Sequence, residues 1–158
     1  MNKLSLTQKS YLAGFLDADG SIYVQAKINK TYKYGYQIAP YIVLFQSKKD
    51  NNFEQICKLI GAGYIRERKD GITEYIIGRI DEITEFLKII ESYVLLKKKQ
   101  VQLMKKVIEA KQKVKNKKDF EVLISLVDKF RELNYSKKRK IRTLTPVETR
   151  RRSLCKKR

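Results

Sequence analysis

Residues 12–20 form a segment that could bind a metal ion at the end of a helix, Leu-Ala-Gly-Phe-Leu-Asp-Ala-Asp-Gly. The segment continues a helical pattern, and Gly20 at its end tolerates backbone angles that other residues avoid. Carbonyl groups at the C-terminus of a helix lack N–H partners and carry partial negative charge. The Asp19 carboxylate beside the Ala18 carbonyl is therefore a candidate site for a hard divalent cation.

The composition excludes several other chemistries. The chain of 158 residues has no histidine, so it cannot hold a Ser-His-Asp or Cys-His nucleophile system or an HExxH zinc site. Its two cysteines, Cys57 and Cys155, are too few for a zinc site made of several cysteines. The 36 Lys and Arg against 17 Asp and Glu give a net charge of +19, which predicts a polyanionic partner such as nucleic acid. No apolar run reaches the roughly 18 residues that a membrane helix needs, so no membrane partner is expected.

Hydrophobic periodicity predicts two successive helix-strand-strand units followed by helices. The predicted elements are a helix at 5–17, strands at 21–29 and 36–46, a helix at 50–60, a hairpin of 63–69 and 73–77 around an Asp-Gly turn, and helices at 81–91, 97–113 and 119–134. This order predicts an α+β fold (αββαββα) in which helices back a four-stranded antiparallel sheet, with additional C-terminal helices. In the first strand, the side that faces the helices is expected to be Ile22, Val24, Ala26 and Ile28.

Residues 12–20 resemble the LAGLIDADG motif of homing endonucleases, from which they differ only at Phe15 and Leu16. The resemblance extends over roughly residues 7 to 110. Since no second copy of the motif follows, the chain is similar to the single-motif, homodimeric branch of the family. The resemblance implies a Mg²⁺-dependent endonuclease that makes a double-strand break in a long pseudo-palindromic DNA target. Pairing of two motif helices would bring together, in the dimer interface, Leu12, Ala13, Gly14 and Phe15.

The resemblance also implies catalytic roles for individual residues. Asp19 would be the metal-binding carboxylate, and the Ala18 carbonyl would be a further ligand although most members have Gly there. Gln46 matches a family position that orders water in the active site. Lys97 matches a basic residue near the scissile phosphate, although neighbouring lysines leave this assignment uncertain by one position.

Two acidic residues near these positions are interpreted differently. Asp17, the other acid of the motif, is interpreted as structural. Asp50 stands where some relatives have an arginine, so the basic pocket is not extended to it.

One face of the predicted sheet carries side chains able to hydrogen-bond base edges in the major groove. The predicted DNA contacts on the strands and their loops are Tyr23, Gln25, Lys27, Asn29, Thr31, Tyr32, Lys33, Gln37, Tyr41, Tyr64, Arg66, Arg68, Glu74 and Ile76. Arg66 and Arg68 are the strongest candidates, because arginine binds guanine through two hydrogen bonds. The second strand fits this face less well, because it is largely apolar there and contains Pro40.

Residues 1–136 are expected to form the endonuclease domain and residues 137–158 a flexible basic tail. The tail residues expected to bind phosphate groups are Lys137, Lys138, Arg139 and Lys140. The amphipathic pattern begins at once, which leaves no room for a signal or transit peptide. An intracellular location is therefore expected, and the abundance of Lys and Ile favours an organelle (chloroplast or mitochondrion) or a prokaryotic cytoplasm.

Three alternatives remain open at this point. An RNA-binding intron maturase, which binds its own intron RNA, or a non-catalytic DNA-binding protein would use the same fold. The charge also allows a ribosomal protein, although that function does not require the motif. Asp19 argues against the non-catalytic alternatives, because a protein that only binds does not need this carboxylate.

Overall fold

The computed structural model describes residues 3–49 and 52–134. Its elements in chain order are α1 (Leu6–Asp19), β1 (Gly20–Ile28), β2 (Tyr36–Ser47), α2 (Phe53–Ile60), β3 (Tyr64–Glu67), β4 (Ile72–Ile77), α3 (Ile80–Ile90), α4 (Lys98–Lys113) and α5 (Lys117–Leu133). Every predicted element is present in this order, so the α+β fold is confirmed. Within the described ranges, no helix is both long and apolar enough to cross a membrane.

Local signals in the sequence explain where several elements begin and end. The Ser5 hydroxyl accepts a hydrogen bond from the Gln8 N–H, and the Gln8 side chain accepts one from the Ser5 N–H, so α1 begins with a capping box. Helix α2 ends at Gly61, which adopts the left-handed conformation (φ 67°) common after a helix. The predicted Asp-Gly turn joins β3 to β4, with Gly71 at a φ of 80°.

The four strands form one sheet in the order β1-β2-β4-β3. Strand β4 is antiparallel to both of its neighbours, and its register aligns Val43, Ile76 and Tyr64 in one row across three strands. Pro40 lies inside β2 but precedes the stretch 42–47 that pairs with β4. Its missing N–H therefore removes no hydrogen bond between these two strands.

The described residues group into two compact units, and each is treated separately below. The first contains residues 3–23, 40–49 and 52–105, and the second contains residues 24–39 and 106–134. In the first unit, α1 contacts α3, and the apolar side chains of α3 are buried at Ile83, Phe86, Leu87 and Ile90. Phe120, Leu123, Val127 and Phe130 are buried along α5 in the second.

One expected core position is wrong. Ile22 and Val24 of β1 are buried as predicted, but the Ile28 side chain is 69% exposed. Ile28 is the last residue of a strand at the edge of the sheet, where the chain enters a loop. The alternation of the sequence continues to this position, but the burial of the side chains does not.

The chain passes from α1 to β1 without an intervening loop, and Gly20 makes this possible. A Cβ atom at Gly20 would lie 2.5 Å from the Leu16 carbonyl oxygen and 2.8 Å from the Leu16 Cα. Both contacts are shorter than real Cβ atoms tolerate, and both involve backbone. The Gly20 N–H also donates to the Leu16 carbonyl, so the close approach is part of how the helix ends.

We expect Gly20→Ala to reduce the free energy of unfolding by about 1–3 kcal/mol, because the methyl group would force the helix end and the strand apart. Urea denaturation followed by circular dichroism measures this. Ser21→Ala, at the next position of β1, is the matched control and should change stability by less than about 0.5 kcal/mol. Equal stabilities of Gly20→Ala and the wild type would show that the turn has room for a side chain.

Candidate active site and nucleic-acid interface

The C-terminus of α1 presents oxygen atoms in an exposed position. Asp19 is the last residue of the helix, and both Ala18 and Asp19 are exposed. Their carbonyl groups belong to the last turn, where an α-helix provides no N–H partners of its own. The last turn of α1 contains no basic residue that would compensate the negative end of the helix dipole.

Asp17, two residues before Asp19 and half-buried, binds a segment 78 to 80 positions away. Its carboxylate accepts hydrogen bonds from the backbone N–H groups of Leu95 (2.7 Å), Leu96 (3.0 Å) and Lys97 (2.9 Å). Desolvation alone would raise the pKa of Asp17, but these three bonds and the nearby Lys97 ammonium outweigh it and lower the pKa. The side chain is therefore ionised at neutral pH, and the structural role predicted for Asp17 agrees with these contacts.

The side chain of Lys97 also contacts α1, the helix that carries the motif. Its Nζ donates a hydrogen bond to the Asp17 carbonyl oxygen, so an ammonium group lies at the C-terminus of α1. Lys97 is half-buried, whereas the side chains of Lys98 and Lys99 are exposed. Among the three lysines considered from the sequence, Lys97 is the one that the structure brings to the motif.

The donor set at the end of α1 fits a hard divalent cation, because a carboxylate and helix-end carbonyls are oxygen ligands of the type that Mg²⁺ prefers. The described residues of one chain provide only part of such a site. Within residues 3–49 and 52–134, no three acidic or cysteine side chains come together. The remaining ligands would have to come from a second chain, from nucleic acid or from water.

Gln46 lies near the end of β2, opposite Thr73 of β4. Its side-chain oxygen accepts a hydrogen bond from the Ser47 N–H at 2.8 Å, which orients the amide against its own strand. Gln46 belongs to the same compact unit as Asp19 and Lys97. The role of Gln46 in ordering water stays a prediction.

Helix α1 divides the residues predicted for the dimer interface into two pairs. Leu12 and Ala13 have no exposed surface, because they face the core of their own chain. They cannot meet a second chain, and the predicted interface is corrected at these two positions. Gly14 is exposed, with no atom within 4 Å of an added Cβ, and Phe15 is half-buried. Tyr11, which is 51% exposed and stacked on Phe15, adds to the outer side of the helix.

In the first unit, the sheet face predicted to bind DNA is built from rows of side chains. The register places Arg66, Glu74 and Phe45 in one row across β3, β4 and β2. On the neighbouring strands, the Tyr23 and Tyr41 rings lie 5.4 Å apart. Burial raises the pKa of Tyr23, so its hydroxyl remains a hydrogen-bond donor at neutral pH.

Two members of the predicted contact set on this face are nearly inaccessible. Glu74 is 5% exposed and Ile76 is 3% exposed, so neither can touch a base without rearrangement. Large neighbours such as Tyr64, which pairs with Ile76, explain this burial. The prediction of direct base contacts by these two residues is therefore corrected.

Glu74 instead orients the two arginines of the hairpin. One of its carboxylate oxygens accepts hydrogen bonds from both Nε and Nη2 of Arg66, and the other lies 3.3 Å from Nη1 of Arg68. The arginine side chains are 58% and 45% exposed. Since Glu74 occupies the Nε edge of the Arg66 guanidinium, Nη1 remains directed away from the carboxylate and can meet a base edge.

In the second unit, the loop between β1 and β2 is shaped by its own side chains. The Asn29 side-chain oxygen accepts hydrogen bonds from the Thr31 N–H (3.1 Å) and hydroxyl (2.7 Å). Asn29 and Thr31 are thus used within the loop, whereas the Tyr32 ring is 46% exposed. On the strands of this unit, Gln25 and Lys27 are exposed and Gln37 is half-buried.

An aromatic contact attaches this loop to α5. The Tyr34 ring stacks on Phe120 with centroids 4.7 Å apart, and the Tyr34 hydroxyl donates to the Lys115 carbonyl at 3.4 Å. The Lys33 ammonium donates to the same carbonyl at 3.5 Å. Lys33, predicted to contact DNA, is therefore directed towards its own chain. The tail residues of the predicted set, Lys137 to Lys140, lie outside the described residues, as does Asp50.

Comparison with known proteins identifies the family of this chain. The sequence profile of the LAGLIDADG endonuclease family matches residues 12–110. The chain belongs to this family.

Two DNA endonucleases are similar to this chain over most of their length. The chain is 36% identical over 132 residues to the DNA endonuclease I-CreI of Chlamydomonas reinhardtii. The aligned residues cover 82% of this chain and 80% of I-CreI. The chain is 34% identical over 136 residues to the DNA endonuclease I-CvuI of Chlorella vulgaris, covering 84% and 83%. Crystal structures of I-CvuI with target DNA, one in Mg and one in Ca, each match with a TM-score of 0.81 at 30% identity, covering 95% of this chain and 94% of theirs.

Sequence reasoning missed the contacts that join distant parts of this LAGLIDADG chain. Nothing in the sequence indicates that Asp17 would bind the N–H groups before α4, because backbone donors have no signature. The sequence also does not predict the stacking of Tyr34 on Phe120, since Phe120 fits the apolar side of an amphipathic helix. The burial of Glu74 could have been suspected, because it stands opposite Arg66 in the predicted hairpin.

We expect Glu74→Gln to weaken discrimination at the base pair that Arg66 contacts, by about tenfold. The neutral amide would hold the Arg66 guanidinium less firmly, whereas Asp70 would still bind Arg68 through Nε and Nη2. Binding to a panel of duplexes with single base-pair changes measures this. Glu67→Gln, which removes an exposed ion pair with Lys48, is the matched control and should preserve discrimination. A uniform loss of affinity across the panel would contradict an orienting role for Glu74.

Proposed function

We propose that this protein is a homodimeric, Mg²⁺-dependent homing endonuclease that makes a double-strand break in a long, pseudo-palindromic DNA target. Family membership supports the class of reaction. The observation that carries the proposal is the end of α1, where the exposed Asp19 carboxylate lies beside helix-end carbonyls and Lys97 supplies an ammonium group. The expected location, an organelle or a prokaryotic cytoplasm, stays a prediction.

The cation would be held by the Asp19 carboxylate and the Ala18 carbonyl. When bound, Mg²⁺ neutralises charge on phosphate oxygens and lowers the pKa of bound water. The Lys97 ammonium, already fixed at the helix end, would stabilise negative charge on the scissile phosphate. Gln46 would orient water through its amide group. No side chain of this protein can act as an imidazole base, because the chain has no histidine.

A dimer follows from the number of catalytic groups in one chain. Each chain brings one Asp19 and one motif, whereas a double-strand break requires two phosphodiester bonds to be cut. The exposed apolar residues Leu95 and Leu96, 80% and 78% exposed, are held at α1 by their hydrogen bonds to Asp17. Together with Tyr11, Gly14 and Phe15 they form a surface that a second copy of this chain would cover. A two-fold pair of chains would then meet two related half-sites.

The catalytic role is tested with a randomised duplex library in Mg²⁺, followed by sequencing of the cut ends. We expect the wild type to cut one long, roughly two-fold motif, and Asp19→Asn to cut it about a thousandfold more slowly or not at all while still binding it. Asp81→Asn, which removes an exposed carboxylate on α3, is the control and should cut normally. Binding of the library without cutting by the wild type would contradict the endonuclease and favour a DNA-binding protein. Preference for structured intron RNA would favour a maturase.

The dimer contact is tested with Gly14→Leu. The added side chain meets no atom of its own chain at Cβ and improves helix propensity, so the chain should fold. We expect it to block the approach of a second α1 and to abolish double-strand cleavage. Sedimentation should give twice the 18.6 kDa of one chain for the wild type and a single chain for Gly14→Leu. Ser125→Leu, an exposed position on α5, is the matched control and should stay dimeric. A dimeric Gly14→Leu would place the interface elsewhere.

A further inference from the structure

The Asp17 carboxylate provides the N-terminal cap that α4 lacks. Helix α4 begins with Lys98 and Lys99 and has no acidic residue in its first turn. Cations at the positive end of a helix dipole are unfavourable, and the first N–H groups of a helix have no partners within it. Asp17 brings a negative charge from a distant part of the chain, and its carboxylate accepts hydrogen bonds from three N–H groups just before the helix. One of them belongs to Lys97, whose carbonyl accepts the first hydrogen bond of α4.

Asp17 and Lys97 are joined by two hydrogen bonds, one through the backbone of Lys97 and one through its side chain. Lys97 donates its backbone N–H to the Asp17 carboxylate and its side-chain Nζ to the Asp17 carbonyl oxygen. An ammonium at the C-terminus of a helix is favourable, so the side-chain contact stabilises the end of α1. Lys97 is thus fixed at both its backbone and its ammonium group, and both contacts are with Asp17, which lies two positions before Asp19 in the sequence.

We propose that Asp17 is a positioning residue for cleavage, which acts by holding Lys97 at the end of the motif helix before DNA binds. This rests on the proposed function, in which Lys97 stabilises charge on the scissile phosphate. A preorganised cation needs no reorganisation when charge develops, whereas a freely moving lysine must first be ordered. A cap that served folding alone would require the three backbone bonds, but not the coupling to Lys97.

The test is a double-mutant cycle with Asp17→Asn and Lys97→Met on the cleaved target. Cleavage is measured in a single turnover at saturating DNA and Mg²⁺, and thermal unfolding is measured in parallel. We expect Asp17→Asn to slow cleavage about tenfold to a hundredfold in the wild-type background. In the Lys97→Met background it should cause no further slowing, because the group that Asp17 positions is gone. The loss of thermal stability should persist in both backgrounds, since α4 loses its cap either way.

Asp119→Asn is the matched control for loss of a capping carboxylate. Asp119 accepts hydrogen bonds from the N–H groups of Lys115 (2.9 Å) and Asn116 (3.2 Å) before α5, in the other compact unit. It should lose thermal stability without a lower cleavage rate at saturating DNA. Should Asp17→Asn fail to fold, Asp17→Glu takes its place, because it keeps the charge but moves the carboxylate by one methylene group.

Several results would overturn the role of Asp17. These are equal slowing by Asp17→Asn in both backgrounds, normal cleavage by Asp17→Asn, and normal cleavage by Lys97→Met. Because the wild type still cuts DNA in each case, the endonuclease activity would stand while the inference failed. Absence of cleavage by the wild type would reject the activity and this role together.

Discussion

The end of α1 is the constraint on which the rest of the structure depends, because three requirements meet within four residues. Gly20 must let the chain enter β1 directly, at a distance from Leu16 that excludes a side chain. Asp17 must face the segment before α4 to bind its N–H groups. Asp19 must face outward to present its carboxylate. A helix places residues two apart on different sides, so a single turn can serve packing and chemistry at once.

An acidic side chain that fixes a basic one is found both at the end of α1 and on the sheet. Asp17 and Glu74 are acids that do not face a substrate; each fixes a basic side chain that could. Asp17 holds Lys97 through backbone and side chain, and Glu74 holds Arg66 and Arg68 by ion pairs at the base of the sheet face. In a chain of net charge +19, the binding of a polyanion needs no additional cations. Two of the few acidic residues instead orient particular basic side chains, which favours specificity over affinity.

Sequence periodicity was sufficient for the elements and for most of their faces. The apolar face of α3, the capping box at Ser5 and the Asp-Gly turn at Gly71 depend on neighbours within a few residues, which is the range that sequence patterns report. Errors arose where burial depends on a distant element. Leu12 and Ala13 carry small and apolar side chains suited to either a dimer or a core, and only packing against their own chain decides between them. The binding of Asp17 to Leu95 is likewise a tertiary contact that local patterns do not contain.

The proposed function requires the end of α1 to be a metal-binding site shared between two chains on DNA. Its most direct test is a crystal structure of the protein with its target duplex in Ca²⁺. We expect two chains on one duplex, each with a cation held by the Asp19 carboxylate and the Ala18 carbonyl. The Lys97 ammonium should lie near the scissile phosphate. A cation bound away from Asp19, or a single chain on the duplex, would contradict the claim.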